Sequence, residues 1–554
     1  MPAEYLDTAP SGGRRTTAGD RSRLASLAAT RFWPLCALLA VFALLLRLPT
    51  LASRSLWLDE TYSAWFAAVP LHELWSQVPL YETHPPFYYT LLKGWSALFG
   101  RSEAALRSLS VLASVLTVVL VPVCARLARL KAKAQRIALL AGLFLAMNAA
   151  SIQYAQQARP YALQALAGSV AVFCAAMLVR ALATRAHTHT RAWRWAAGLA
   201  LAAGLTMWLH NTGMFAAFGI WAGMTLGLLL AAPGPRRPQV LALGLAGLGA
   251  LLVWSPFIPM LFKQGASMAQ LSYWVRFTPY DVKSAWTVIA GAQLLHYPIA
   301  VLVLLGLAML WRRARSHFWL LACVLTLPIL ALAAYSWLVK PLFLSRLFLW
   351  LGPSGMVLAA LGLDRLPGRW RLPAAITVLA LSAYAVLGFY RSQTEDWRGM
   401  LAGLARDARP GDLVLAYPNE VQMPVAYYMR AGPAVTYLPA PFPAPGMARD
   451  YVSNAGAPAI APEDAARVRT RLPGHERVWL IERRADLYDP DNLIMGELER
   501  GYRLMRKLEG NGANIYLYEA LSAARPSTPV PGPVPEPEDR LYAAVLPNSR
   551  KASP

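Results

Sequence analysis

Charge is what this sequence has least of. Only 15% of its 554 residues are Asp, Glu, Lys or Arg, against about 25% in a soluble protein. The shortfall recurs along the first 390 positions as apolar runs of roughly 20 residues, the length that crosses a bilayer, so a purely soluble or disordered chain is excluded. Cysteine is scarce too. Cys36, Cys124, Cys174 and Cys323 lie far apart, in or beside apolar runs and without a CxxC spacing, which argues against a disulfide framework or a zinc knuckle. No GxxxxGK[ST] run occurs, so the sequence carries no phosphate-cradling loop of that kind. Acidic residues are outnumbered, 30 against 53 Lys and Arg, for a net charge of +23. In a soluble protein that balance would suggest nucleic acid. Here the basic residues cluster in short gaps between apolar runs, where membrane proteins keep their cytoplasmic Lys and Arg, and no nucleic-acid partner is expected.

What is present reads as an α-helical integral membrane protein. Candidate spans cover 32–51, 105–125, 137–153, 161–180, 195–209, 212–232, 239–260, 292–311, 317–338, 343–363 and 372–390, about eleven by the bilayer-length criterion. Arg14 to Arg31, Arg126 to Arg136, Arg180 to Arg194, Arg236 and Arg237, Arg312 to Arg315, and Arg365 to Arg371 fall on one side of this pattern, which the positive-inside rule makes cytoplasmic. The other side receives 52–104, the turns at Arg159 and His210, the stretch from Lys263 to Lys283, and Lys340 to Arg346. An odd number of spans puts everything after Tyr390 there as well. The first apolar run, with its basic flank and no good cleavage site, reads as a retained signal-anchor.

Domain boundaries follow from composition. Residues 1–31 form a disordered cytoplasmic N-terminus, and 32–390 a multi-span domain whose first outer loop, 52–104, carries the site. Residues 391–521 form a small extracytoplasmic α/β domain, and 522–554 a Pro-rich disordered tail. Short β-prone runs at Asp412 to Tyr417, Arg477 to Glu482 and Asn514 to Glu519 alternate with helical patterns at 396–408, 420–430 and 490–500, the rhythm of an α/β domain.

The chemistry gathers at the outer turns. Asp59 and Glu60 follow a span directly and are rimmed by Trp57, Tyr62 and Trp65. They fit a solvated acidic turn in an aromatic belt or, through partial desolvation, a general base. His84-Pro85-Pro86 opens an aromatic run to Phe99 that suits the membrane interface. Arg159, in QYAQQARPY, either snorkels to headgroups or pairs with a lipid-linked phosphate, for which a guanidinium fork is suited. His210-Asn211, Lys340 and Arg346 occupy further outer turns, and four such turns on one face together offer a base and an anion site.

These residues resemble a family. LWLDETYS after the first span, HPPFYY some 25 residues on, RSLSVLASVLTV, QYAQQARPYAL and WLHNTGMFAA are similar to motifs of the bacterial family 39 glycosyltransferases. Those are relatives of the protein O-mannosyltransferases and the lipid A aminoarabinose transferases in the GT-C class. EDWRGMLAGLARDARPGDLVLAYP resembles the start of the outer domain of bacterial members. The resemblance implies a GT-C-type membrane transferase that uses a polyprenyl-phosphate-linked sugar, inverts the anomeric centre, and acts on a lipid, glycan or protein acceptor at the outer face of the cytoplasmic (inner) membrane. It puts Asp59 in the catalytic position beside Glu60 and matches substrate-site elements to His84, Arg159 and Tyr161; the charged and polar groups of the other outer turns add His210, Lys340 and Arg346 as substrate-binding candidates. Thr83 and Gln157 stand where many members have acids. A divalent metal would then have Glu60, Glu82, His84 and His210 as candidate ligands. Two other readings remain, a lipid-linked sugar transporter or flippase and a noncatalytic envelope scaffold. A transporter would carry charged groups within several spans, whereas here Arg47 is the main one.

Overall fold

The structure, a computed structural model, describes residues 18–183, 189–231, 236–269, 277–429, 432–444, 447, 452–454 and 457–521. The sequence expectations for residues before 18, for Arg185, for part of the turn after Lys263 and for the Pro-rich tail lie outside these. The chain divides into two compact units. One comprises Met1–Leu51, Arg107–Ile258 and Val275–Ser392; the other comprises Ala52–Leu106, Pro259–Trp274 and Gln393–Pro554.

The first unit is helical. Among the described residues of the whole chain, eight helices are long and apolar enough to cross a membrane, or nine if one bent pair counts as a single span. The chain is thus a multi-pass membrane protein. The other two expected spans are the shorter apolar helix Arg31–Leu45 and His189–Leu209. The expected span 137–153 is not continuous: Ala132–Ala146 and Ala149–Ala155 meet at 62°. The break has a cause in Asn148, whose side chain accepts the Ser151 N–H at 2.8 Å and starts a new helix. Its amide donates to the Ile289 carbonyl at 3.1 Å. The approach needs a glycine opposite, because at Gly291 (φ +98°) a Cβ would stand 2.8 Å from that amide nitrogen.

Arg47, expected inside the first span, lies just beyond the Ala18–Leu45 helix and is fully buried. Its guanidinium donates to Ser114 Oγ at 2.8 Å, Ser151 Oγ at 3.0 Å, the Ala43 carbonyl at 2.9 Å and the Ala146 carbonyl at 3.2 Å. The last of these oxygens is freed by the helix break. Elsewhere the spans touch backbone to backbone. Gly219, Gly223 and Gly227 lie four apart on the Gly213–Ala231 helix, where a Cβ would meet Pro328 Cγ at 2.7 Å, Leu320 Cα at 2.8 Å and the Ser316 carbonyl at 2.5 Å of the Arg315–Leu338 helix. Small residues let membrane helices approach in this way.

The second unit contains a sheet. Its strands are β1 (Leu413–Tyr417), β2 (Val435–Tyr437), β3 (Val452–Asn454), β4 (Ala457–Pro458), β5 (Arg477–Arg483), β6 (Tyr502–Gly510) and β7 (Ala513–Ala520). Five of them run in the order β2-β1-β5-β7-β6, with β3 and β4 forming a separate pair. β1 lies parallel to β2 and β5, while β5–β7 and β7–β6 are antiparallel. β5 is buried almost throughout, and its centre is accordingly the apolar run Val478 to Ile481. Val414, Ala416, Trp479 and Ile481 pack against Trp397, Leu401 and Leu404 of the Trp397–Asp407 helix. Leu415, Val478 and Leu480 pack with Val468 and Leu498 on the other face. The same unit holds the loop helices Leu58–Ala68, Leu71–Ser76 and Phe87–Phe99.

Candidate functional site

The Leu58–Ala68 helix carries Asp59 and Glu60 in its first turn, at the positive end of the helix dipole. Glu60 is fully buried, and its Oε2 accepts the Trp57 N–H at 3.4 Å. Asp59 is half-buried. Both ends of the helix are held by distant charge. Glu395 Oε2 accepts the Leu58 N–H at 2.9 Å and the Trp397 indole N–H at 2.8 Å, and the Ser55 hydroxyl donates to the Glu395 carbonyl. At the other end, Lys93 Nζ donates to the Ala67, Ala68 and Val69 carbonyls at 3.2, 3.4 and 2.8 Å. A carboxylate at the N-terminus and an ammonium at the C-terminus both complement the dipole.

One turn beyond Asp59, the Tyr62 hydroxyl donates to Glu420 Oε2 at 3.2 Å. Arg483 joins the two acids: Nε and Nη2 donate to Glu395 Oε1 at 3.1 and 2.9 Å, and Nη1 donates to Glu420 Oε1 at 3.0 Å. Burial raises the Glu420 carboxyl above the usual carboxylate range and the nearby Asp59 charge adds to this, while Arg483 and the Tyr488 and Tyr62 hydroxyls pull it down. Burial likewise holds Tyr62 protonated, with Glu420 next in effect. Tyr62 stacks edge-on to Phe442 at 5.5 Å, and Phe66 lies 5.0 Å from Tyr89.

His84 is close by in sequence and in the same unit. Its Nδ1 hydrogen-bonds Glu82 Oε1, which also accepts the His84 N–H at 3.1 Å, and Gln264 Nε2 donates to the Glu82 carbonyl at 2.7 Å. The pair is as far as metal ligation goes. Among the described residues no three His, Cys, Asp or Glu side chains are grouped to hold a metal. Of the candidate ligands, Glu60 is turned to the Trp57 N–H, and Glu82 and His84 are the two seen in contact.

The first unit gathers the basic candidates. Arg159 is buried in the turn between the bent pair and the Tyr161–Ala183 helix, its N–H on the Gln157 carbonyl at 2.8 Å and its carbonyl accepting the Ser110 hydroxyl at 3.3 Å. Its guanidinium carbon lies 5.9 Å from the Tyr161 ring centroid, and that of Arg346 lies 5.7 Å from the same ring. Tyr154 is edge-on to Tyr161 at 5.6 Å. The His210 ring is 6.1 Å from Tyr161. His210 Nδ1 faces the Thr212 N–H at 3.2 Å and the Thr212 hydroxyl at 2.9 Å. Because a backbone N–H can only donate, Nδ1 is the acceptor and the proton of the neutral ring sits on Nε2. Lys340 is half-buried in the turn that leads to Arg346, with its own N–H on the Tyr335 carbonyl.

Three predicted residues, Arg159, His210 and Arg346, thus meet around the ring of a fourth, Tyr161, while Asp59, Glu60 and His84 belong to the other unit. Sequence reasoning missed Glu395, Glu420 and Arg483. The only signal was Glu395, which opens the EDWRG stretch.

No protein-family model matches the sequence, and no curated protein does. Solved structures do. ArnT from Cupriavidus metallidurans in the apo state aligns with a TM-score of 0.59 at 14% identity, covering 90% of this chain and 100% of that one. The same protein bound to undecaprenyl phosphate gives 0.57 at 14% identity, with 89% and 99% covered. The archaeal oligosaccharyltransferase AglB from Archaeoglobus fulgidus, in complex with an inhibitory peptide and a dolichol-phosphate, gives 0.54 at 11% identity, with 90% and 75% covered. At these identities the likeness is one of fold, and that fold is of the GT-C type.

Proposed function

We propose, from the premise that this chain has a GT-C-type membrane fold, that it transfers a sugar from a polyprenyl-phosphate-linked donor to a hydroxyl or phosphate of a lipid, glycan or protein acceptor, with inversion. The observation that carries the reading is the meeting of Arg159 and Arg346 on the Tyr161 ring. Two guanidinium groups near one ring concentrate positive charge, which suits an anion that both can reach. A lipid phosphate has that charge, and its polyprenyl tail stays in the apolar phase. The ArnT and AglB structures with undecaprenyl phosphate and dolichol-phosphate support the choice of ligand.

The chemistry then needs a base at the acceptor and positive charge on the departing phosphate. In this reading Asp59 takes the proton from the acceptor hydroxyl as its oxygen attacks the anomeric carbon. The bond from that carbon to the phosphate oxygen breaks, and the phosphate leaves with its negative charge held by Arg159 and Arg346. His210, through Nε2–H, and Tyr161 orient the donor, and Lys340 adds positive charge. Glu60 and His84 shape the acid loop. The reading places residues 52–104 and the α/β domain 391–521 outside the cytoplasmic membrane, because the Arg-rich loops alternate with them along the chain.

The test works whichever sugar is transferred. Envelope lipids, glycans and proteins of a deletion strain are compared by mass spectrometry with those of strains restored by the wild-type chain or by Asp59→Asn. The missing glycosylated species returns with the wild type and stays absent with the variant. Return of that species with Asp59→Asn removes the base assignment, and an unchanged envelope in the deletion strain removes the transferase reading.

A further inference from the structure

In an open α/β sheet, ligands bind beyond the carboxyl ends of the parallel strands, at the point where successive connections leave in opposite directions. Here that point lies between β1 and β5: β1 is followed by β2 on one side, and β5 lies on its other side. Tyr417 and Glu482 are register partners at the two strand ends. Glu420 comes three residues after Tyr417, and Arg483 directly follows Glu482. What meets these two residues is a piece of the chain itself, because Tyr62 of the Leu58–Ala68 helix donates to Glu420.

We infer that Arg483 is a positioning residue for Asp59, and that the α/β domain uses its ligand-binding edge to hold the helix that bears the base. The inference rests on the transferase reading above. The geometry has two attachment points. Glu395 takes the Leu58 N–H immediately before Asp59, and Glu420 takes the Tyr62 hydroxyl three residues after it. Arg483 bridges both carboxylates, at 2.9 and 3.1 Å from Glu395 and 3.0 Å from Glu420. It is largely enclosed, as are Glu395 and Glu420, so solvent screens these pairs weakly.

Without Arg483, two enclosed carboxylates would share a small volume with Asp59 and lose their common counter-charge. They would then take up protons or move apart. Either response disturbs one of the two attachments and tilts the first turn of the helix. A misplacement of about 1 Å at a reacting group costs on the order of 100-fold in rate. In this reading the donor phosphate is held by Arg159 and Arg346 and not by the tilted helix, so the loss falls on turnover and not on donor affinity.

The experiment uses the full-length protein in detergent or nanodiscs, with Arg483→Lys, Arg483→Met and the double variant Arg483→Met/Glu420→Gln. Three quantities are followed: hydrogen exchange of residues 55–68, binding of polyprenyl phosphate itself, and restoration of the missing envelope species in cells with its rate. Arg483→Lys, which keeps the charge but not the fork, is expected to speed exchange over 55–68 and lower the rate about 10-fold, with polyprenyl phosphate binding within about twofold of wild type. Arg483→Met lowers the rate about 100-fold. The double variant recovers part of the exchange protection, because glutamine still accepts the Tyr62 hydroxyl without a stranded charge. Unchanged exchange over 55–68 in both single variants overturns the inference, and so does faster exchange with an unchanged rate. If Asp59→Asn proves fully active, the base assignment fails, and the exchange data alone still decide whether Arg483 holds the helix.

Discussion

Two enclosed arginines show how differently the two units handle charge. Arg47, in the helical unit, is held by two serine hydroxyls and two backbone carbonyls. Arg483, in the sheet-bearing unit, is held by two carboxylates. Neutral oxygens satisfy a guanidinium without cancelling its charge, whereas carboxylates do both. Arg47 thus fastens neutral backbone and hydroxyl groups of its own unit, whereas Arg483 fixes two acids in place. Around these two fastenings the proposal divides the labour: the anion goes to Arg159 and Arg346 in the helical unit, and proton transfer to Asp59 in the other.

The sharpest test of that division is a pair of variants. Asp59→Asn is expected to lose at least about 100-fold in turnover while binding polyprenyl phosphate as the wild type does. Arg159→Ala is expected to lose that binding, and Arg159→Lys to recover little of it, because the bidentate fork is gone. Titrating the purified variants with polyprenyl phosphate and measuring transfer at saturating donor separates the two. Equal losses of binding in both would end the division.

A second, smaller effect concerns Arg47 itself. Arg47→Met removes the donors to Ser114, Ser151 and the Ala146 carbonyl, which should cost roughly 1–3 kcal/mol of stability and leave polyprenyl phosphate binding unchanged. Thermal unfolding in detergent reads the first, and ligand titration the second. A loss of binding at unaltered stability would make Arg47 part of the anion site and redraw the comparison.

Glu60 should matter less. Its contact with the Trp57 N–H is one that glutamine can also make, so Glu60→Gln is expected to be almost silent and Glu60→Ala to cost about 1 kcal/mol. A severe Glu60→Gln defect in transfer at normal melting would give Glu60 a direct role beside Asp59.

The mildest effect lies under the sheet. Glu482 is buried, which raises its carboxyl above the ordinary value of 4.5, against the opposing hydrogen bond from Tyr516. The folded state keeps this proton after the unfolded state has released it, so the stabilisation is complete below pH 4.5 and fades as pH rises through the raised value. Glu482→Gln should flatten that decline, seen as a melting-temperature difference from wild type that grows with pH. A constant difference would mean that Glu482 stays ionised.

How much of this the sequence discloses depends on whether a signal is local. Spans and buried strands follow from runs of apolar residues, and β1, β5 and β7 lie where such runs predict them. β6 escapes that reading because YRLMRKLEG is mostly exposed and becomes a strand only by pairing with β7. The Pro462–Arg471 helix is equally polar, with Asp464, Ala465 and Val468 its buried residues. The break at Asn148 hides inside a run whose hydropathy never falls far. At the site, Asp59 and Arg159 stand in recognisable motifs, and the gathering of Arg346 and His210 on Tyr161 was foreseen only as a shared side. Glu395, Glu420 and Arg483 are single charges more than 300 positions from Asp59, and no window of sequence relates them to it.

The Leu58–Ala68 helix has 11 residues, fewer than the roughly 12–15 at which an isolated helix is even marginal in water. The carboxylate that accepts its first N–H lies 337 positions downstream. At about 5–20 residues per second, a ribosome needs roughly 20 to 70 s to make that stretch. Every intervening span is inserted during that interval, while the segment carrying Asp59 still lacks the partner that closes its first turn. The order of synthesis thus makes the first turn around Asp59 one of the last features of the chain to be completed.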